Sequence, residues 1–205
     1  MRHFFDYFQI VGLALFLGLC TGKALYLYLR KGIKPITIGI HHPKRVRGII
    51  ELASFAVVAI WAFEVLFSTL PLDFHLFPSL VYLPLIDSKI SRFAGVAAII
   101  LSFFILTRAM IALGNSWRLG IDEKKPGALV TKGIYAMSRN PIYVFFNLYF
   151  VGTFLINGVL VFLIFAVLLA VTLHCLIREE EKALLKIHGA AYRRYCAETG
   201  RYITR

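Results

Sequence analysis

Apolar runs of membrane-crossing length recur through this chain, at residues 4–29, 48–70, 93–113, 141–156 and 159–177. A run of about 20 apolar residues matches the hydrocarbon thickness of a bilayer. Inside that thickness every backbone N–H and C=O has to be satisfied within the protein, which leaves helices for segments of this length. The expected fold is therefore all-α: a polytopic membrane protein with about five transmembrane helices and a C-terminal amphipathic helix at the cytoplasmic surface. The whole chain, 1–205, reads as a single membrane domain, with 1–113 as N-terminal helices and 114–205 as the part that carries the chemistry.

Charge fixes the orientation. The formal net charge is +12, which on a soluble domain would point to nucleic acid. Here 59% of the residues are apolar, against about 45–50% in soluble domains. The positive residues also sit between the spans, and no nucleic-acid motif is present. Three basic segments stand out: 30–47, 114–140 and 178–205. Basic short loops stay on the cytoplasmic side, and an odd number of crossings puts all three there, with the N-terminus outside. The first run is too long for a signal-peptide core and lacks a small-residue cleavage site, so it reads as a membrane helix. Cys20, Cys175 and Cys196 form neither a disulfide framework nor a metal-ligand spacing.

Several residues within the N-terminal half carry expectations of their own. Gly18-x-x-x-Gly22 is a spacing that lets a second helix approach closely. His41 and His42 are adjacent and read as a solvated loop pair. Glu51, Glu64 and Arg108 lie within the spans, where a charged group faces the bundle interior. Glu64 is expected in a hydrogen-bonded contact between helices, while Lys23, Glu51 and Arg108 read either as a shared inner-leaflet cluster or as separate groups that snorkel toward the surface. Pro71, Pro78 and Pro84 interrupt helix formation, so residues 76–86 read as an interfacial segment on the outer side.

The chemistry concentrates in residues 127–143, GALVTKGIYAMSRNPIY. Gly127 and Gly133 permit close backbone approach. Pro141 suits the first turn of a helix, and the N–H groups around Asn140, Pro141 and Ile142 form an anion-favouring helix start. Tyr135 and Tyr143 offer flat amphipathic faces, and Arg139 can pair with a carboxylate in bidentate fashion. A second cluster, Arg178-Glu179-Glu180-Glu181, follows the last span. On a helix the three carboxylates fan out by about 100° each, so one or two face the 127–143 stretch. The two clusters together suit a zwitterion joined to a nucleoside and carrying an extra positive charge, which S-adenosylmethionine is. The soluble dinucleotide fingerprint, the phosphate loop, the zinc-protease helix and nucleophile-elbow signatures are absent.

The order Leu113-Gly114-Asn115-Ser116-Trp117, Leu129-Val130-x-x-Gly133-x-Tyr135, Arg139-Asn140-Pro141-x-Tyr143, Glu180-Glu181-x-x-Leu184, Gly189-x-x-Tyr192-x-x-Tyr195, Thr199-Gly200-Arg201 resembles the integral-membrane methyltransferases. These include isoprenylcysteine carboxyl methyltransferase and the phospholipid N-methyltransferases. The resemblance covers residues 113–201; before that only the hydropathy agrees. It implies S-adenosylmethionine as cofactor, contacted by Gly127, Ala128, Leu129, Val130, Tyr135, Asn140, Pro141, Ile142, Tyr143 and Glu180, with Gly120 and Ile121 as further contacts. The bottom-up reading adds Arg139. No metal is expected.

Two positions depart from the pattern. Asn140 stands where the family usually has His. Leu176 stands four residues before Glu180, where the isoprenylcysteine enzymes carry a substrate-site Arg. The expected reaction is methyl transfer to a small lipophilic or prenylated, membrane-associated acceptor in the manner of the isoprenylcysteine enzymes. Transfer to a phospholipid amine is the alternative within the class, and a nicotinamide-dependent membrane reductase or a non-enzymatic membrane protein the alternatives outside it. Arg178, His174, Arg108, Glu64 and Glu51 are the candidate catalytic helpers.

Overall fold

Helices account for nearly all regular structure in the computed structural model, which describes residues 2–33, 46–70, 74–117 and 128–203. The expectations on His41, His42, Gly120, Ile121 and Gly127 lie outside the described residues. The elements in order are α1 (Arg2–Lys31), α2 (Val46–Thr69), α3 (Pro78–Val81), α4 (Lys89–Leu113), two 3-10 turns (Gly114–Ser116 and Gly133–Ala136), α5 (Pro141–Asn157) and α6 (Leu160–Glu198). Helices α1, α2, α4 and α6 are long and apolar enough to cross a membrane. The 17 residues of α5 reach the lower end of the spanning range, about 17–25 residues. The fold is the expected all-α membrane bundle. Large apolar residues such as Ile100, Phe104, Val167 and Val171 are exposed on its flanks, where lipid tails solvate them.

The centre of the bundle is aromatic. Trp61 of α2 stacks on Phe150 of α5 with centroids 4.2 Å apart and meets Tyr149 edge-on at 5.0 Å. Phe16 of α1 and Phe103 of α4 close around Phe145 and Tyr149. Lipid tails are as apolar as these side chains, so packing quality rather than burial from water holds such helices together. The tightest packing is between α4 and α5. A Cβ built on Gly95 would stand 2.5 Å from the Gly152 carbonyl oxygen, and one on Gly152 2.6 Å from the Ile99 side chain. The close-approach role expected of Gly18 and Gly22 therefore falls to Gly95 and Gly152. A Cβ at Gly18 or Gly22 meets nothing within 4 Å: the spacing marks a smooth helix face, but the chain brings no described helix to it.

Residues 83–86 do more than rest at an interface. They dock on the turn between α5 and α6: Leu85 and Ile86 donate to the Gly158 carbonyl at 2.7 and 3.0 Å, and Leu160 donates to Leu83 at 3.0 Å. Gly158 has φ +66°, and a Cβ there would collide with the Ile86 oxygen. At the same end Glu64 is fully buried and accepts from the Leu76 backbone N–H at 3.0 Å, with His75 Nδ1 3.2 Å away. Glu64 thus fastens a loop to the end of α2, and among the described residues its hydrogen bonds go to that loop and not to another helix.

The last span continues into the C-terminal amphipathic segment as one helix up to a kink at Gly189, the whole helical run covering 39 residues. The polarity change at Arg178 carries no stop signal, since Arg, Glu and Lys are all good helix formers. At about 1.5 Å per residue this helix extends far beyond a hydrocarbon layer of about 30 Å. Its apolar part is 160–177, so residues 178–198 project past the membrane. Gly189, at φ 53° and ψ −121°, kinks the projection with a geometry that residues bearing a Cβ rarely adopt. Replacing Gly95 or Gly152 by alanine should lower stability by about 1–3 kcal/mol through overpacking, read from unfolding in mixed detergent, while Gly18→Ala should stay near wild type.

Candidate functional site

The three carboxylates after the last span separate as their helical spacing requires. Glu179 pairs with Lys182 on the exposed side of α6. Glu181 binds two arginines: Arg139 Nη2 donates to its Oε1 at 2.8 Å, and Arg201 donates through Nε at 3.1 Å and Nη2 at 2.7 Å. Glu180 points a third way and accepts a hydrogen bond from the Tyr143 hydroxyl. Two of the three therefore face the loop side.

Residues 138–140 form a socket for the end of the chain. Arg139 N–H donates to the Gly200 carbonyl at 3.1 Å, and Asn140 Nδ2 donates to the Arg201 carbonyl at 3.0 Å. The Asn140 N–H goes to Ser138 Oγ at 3.1 Å. Beyond the kink, α6 returns Tyr195 to the 3-10 turn, where its hydroxyl donates to the Tyr135 carbonyl at 2.6 Å. Tyr202 reaches back along α6 to His174 Nδ1 at 2.8 Å with the rings stacked. This return of residues 199–202 changes the role read for two candidates. Arg139 is committed to Glu181, and the Asn140 side chain to the tail. Of the N–H groups expected at the start of α5, Asn140 is satisfied by Ser138, Pro141 has none, and Tyr143 bonds Asn140 O at 3.0 Å. The anion-binding helix start is accordingly smaller than the sequence implied.

What the structure does bring together is Tyr135, Tyr143 and Glu180, with Arg47 and Glu51 from the start of α2. Arg47 Nε donates to Glu51 Oε1 at 2.9 Å, and both groups lie within electrostatic range of Glu180. Glu180 is outside the membrane-spanning part of α6. Desolvation by its neighbours pushes its carboxyl up from 4.5 to about 7; the Tyr143 hydrogen bond and the Arg47 charge oppose this, and Glu51 adds to it. Burial raises the Tyr135 phenol, helped by Tyr195 and Glu180. Ala128 is exposed, Leu129 and Val130 are half-buried, and Pro141 is buried with Ile142 half-buried beside it.

The other candidates lie apart from this cluster. Arg178 and Arg108 are exposed, His174 is held by Tyr202, and Glu64 is 13 residues along α2 from Glu51, or about 20 Å. Of the two readings of Lys23, Glu51 and Arg108, the shared cluster is not found among the described residues. Glu51 pairs on its own helix with Arg47, and Lys23 lies over the Tyr26 ring at 5.9 Å. Arg47 is the site residue that sequence reasoning left among the loop charges; its spacing of four from Glu51 was the signal. Leu176 is buried. Among the described residues no group of His, Cys, Asp and Glu could hold a metal.

Residues 90–191, about half of the chain, match the phospholipid methyltransferase family. No curated protein matches the chain.

A carboxyl raised in the folded protein binds its proton more tightly there than in the unfolded chain. Its contribution to stability then falls as pH rises from about 4.5 and is fully lost above about 7. Ligand-free Glu180→Gln should therefore melt higher than wild type at pH 8, and the gap should close toward pH 5.

Proposed function

The chain belongs to the phospholipid methyltransferase family, and from that premise we propose that it transfers a methyl group from S-adenosylmethionine to an amphipathic acceptor drawn from the membrane. The observation that carries this reading is the convergence of Glu180 of α6, Tyr143 at the start of α5 and Tyr135 of the 3-10 turn, beside the Arg47–Glu51 pair of α2. Among the described residues, two carboxylates stand against one guanidinium, which gives this part of the cluster an acidic balance. That balance and two phenols suit an ammonium, or a pair of ribose hydroxyls against Glu180, with a Tyr face for the purine. For the cofactor's own carboxylate, Arg139 has Nη2 engaged by Glu181 while its buried Nε carries no hydrogen bond, and the start of α5 offers Ile142 N–H.

S-adenosylmethionine supplies a methyl group on a positively charged sulfur. The protein's part is to hold donor and acceptor in line, a positioning contribution that reaches about 7–11 kcal/mol in favourable cases. We place 114–205 as the cofactor-binding part, on the cytoplasmic side, because the basic segments flank it. The family match favours a phospholipid amine as acceptor, and so does Leu176, which offers no cation where the isoprenylcysteine enzymes have one. An amine has to lose a proton before it can attack, and among the candidate helpers Glu51 is the one at the cluster. A prenylcysteine-type carboxylate is the second reading, favoured by the Arg47 guanidinium.

Calorimetry of S-adenosylhomocysteine binding to the purified protein tests the cofactor: saturable binding is expected, and none would sink the proposal. Glu180→Ala should abolish the binding while Glu179→Ala largely spares it; equal losses would contradict the role of Glu180. Labelled cofactor incubated with phospholipid extract and with prenylcysteine analogues should place the label in the phospholipid amine.

A further inference from the structure

The end of the bundle away from Glu180 contains a cavity of about 280 Å³. Its polar lining is Asp6 and Gln9 of α1, Ser68 of α2, Asp87, Arg92 of α4 and Asn157 of α5. Helix α5 carries Tyr143 near one end and Asn157 at the other. At 1.5 Å per residue these stand about 21 Å apart, so the cavity is separate from the cluster around Glu180.

Hydrogen bonding fixes which atom of Gln9 is left for a ligand. Asn157 Nδ2 donates to the Thr153 carbonyl at 2.9 Å and to Gln9 Oε1 at 2.6 Å. A carbonyl accepts only from the N–H end of the Asn157 amide, so the orientation of Asn157 is set. Asn157 in turn holds the Gln9 oxygen toward α5. Nε2 is then the open end of the Gln9 amide. Gln9 is only 2% exposed, and its Nε2 is buried without a hydrogen-bond partner. Ser68 Oγ, on the wall that α2 supplies, is buried without a partner as well. A donor shut off from water and left unpaired is costly, and what would relieve it here is an acceptor brought by a bound molecule.

The rim carries both signs of charge. Arg92 Nη2 donates to Asp87 Oδ1 at 3.0 Å, and its guanidinium lies 5.8 Å from the Phe5 ring centre. A purely anionic ligand would meet the carboxylates of Asp6 and Asp87, and a purely cationic one would leave Gln9 Nε2 without an acceptor. A zwitterion answers both. Tyr7 and Tyr82, in the segments that line the cavity, are exposed, and such amphipathic rings belong at headgroup depth in a bilayer. The volume lies just under the usual range of ligand pockets, about 300–1,000 Å³. That suits a headgroup whose acyl chains stay outside, along the apolar flank.

We propose that this cavity binds the headgroup of one zwitterionic phospholipid, with phosphate oxygens accepting from Gln9 Nε2, Ser68 Oγ and Arg92 and the ammonium set toward Asp6 and Asp87. The lipid ties α1 to α2, α4 and α5 and undergoes no reaction there. The proposal does not depend on the reading of Glu180.

The test is native mass spectrometry of the full chain, delipidated in detergent and reloaded with phosphatidylethanolamine or phosphatidylglycerol. Wild type should retain one phosphatidylethanolamine, with phosphatidylglycerol, which lacks the ammonium, held less well. Gln9→Glu keeps the acceptor for Asn157 but turns the donor end into a carboxylate oxygen, and Arg92→Gln removes the guanidinium. Each should weaken retention about tenfold or more, the scale of a hydrogen bond to a charged group, and Ser68→Ala less. Glu180→Gln, at the other end, should retain the lipid as wild type does. Glycerophosphoethanolamine should compete, since the cavity reads the headgroup. Competition by inorganic phosphate at the same concentration overturns the lipid as occupant, and equal retention of phosphatidylglycerol overturns the zwitterion. No retained phospholipid, or equal retention in wild type, Gln9→Glu and Arg92→Gln, overturns the site. Should Gln9→Glu fail to fold, Arg92→Gln and Ser68→Ala decide the matter.

Discussion

Apolar surface gains little by leaving lipid for a neighbouring helix, and every contact in this bundle works under that constraint. What holds the helices is fit: glycine opposite backbone at Gly95 and Gly152, flat rings stacked at Trp61 and Phe150, and polar groups with no better partner than each other. Glu64 with Leu76 N–H, and Asn157 Nδ2 with Gln9 Oε1 at 2.6 Å, are of the last kind. They lie at the end of the bundle opposite Glu180. The aromatic centre separates this fastened end from the end where the chemistry is placed.

At the site end the same logic uses charge. Glu181 gathers Arg139 from the loop and Arg201 from the tail, and Gly189 bends α6 so that the tail can return. These contacts secure residues 138–140, and with them the start of α5 that carries Tyr143. Glu180, one residue from Glu181, turns instead to the Tyr143 phenol, from which it accepts a hydrogen bond. Adjacent carboxylates on one helix thus take different roles, one as a strut and one as a group held out of water. The difference comes from the 100° between them.

The spans were legible because hydropathy runs record bilayer thickness directly. The separation of Glu179, Glu180 and Glu181 was legible because helical spacing is fixed. The partners of those residues were not. Arg139 was read as a ligand for an external carboxylate because nothing in a linear string says that Glu181 and Arg201 will arrive first. Gly18 and Gly22 had the spacing of a helix contact and Gly95 and Gly152 did not, yet the second pair is used, since contact depends on which helices the loops bring together. The joint between span and surface helix was placed at Arg178 because polarity changes there; backbone hydrogen bonding ignores that change, and the helix continues to the glycine.

The unbroken run of α6 from Leu160 up to the kink at Gly189 has a mechanical meaning. Val167, Leu168 and Val171 present its membrane segment to lipid, and Glu180 stands about two turns beyond on the same rod. A helix accommodates a thinner or thicker bilayer by tilting, and a rod without a joint transmits that tilt along its length. The distance of the Glu180 carboxylate from the membrane surface is thereby tied to the thickness of the bilayer around it, so the bilayer acts on the candidate site as a dimension as well as a solvent.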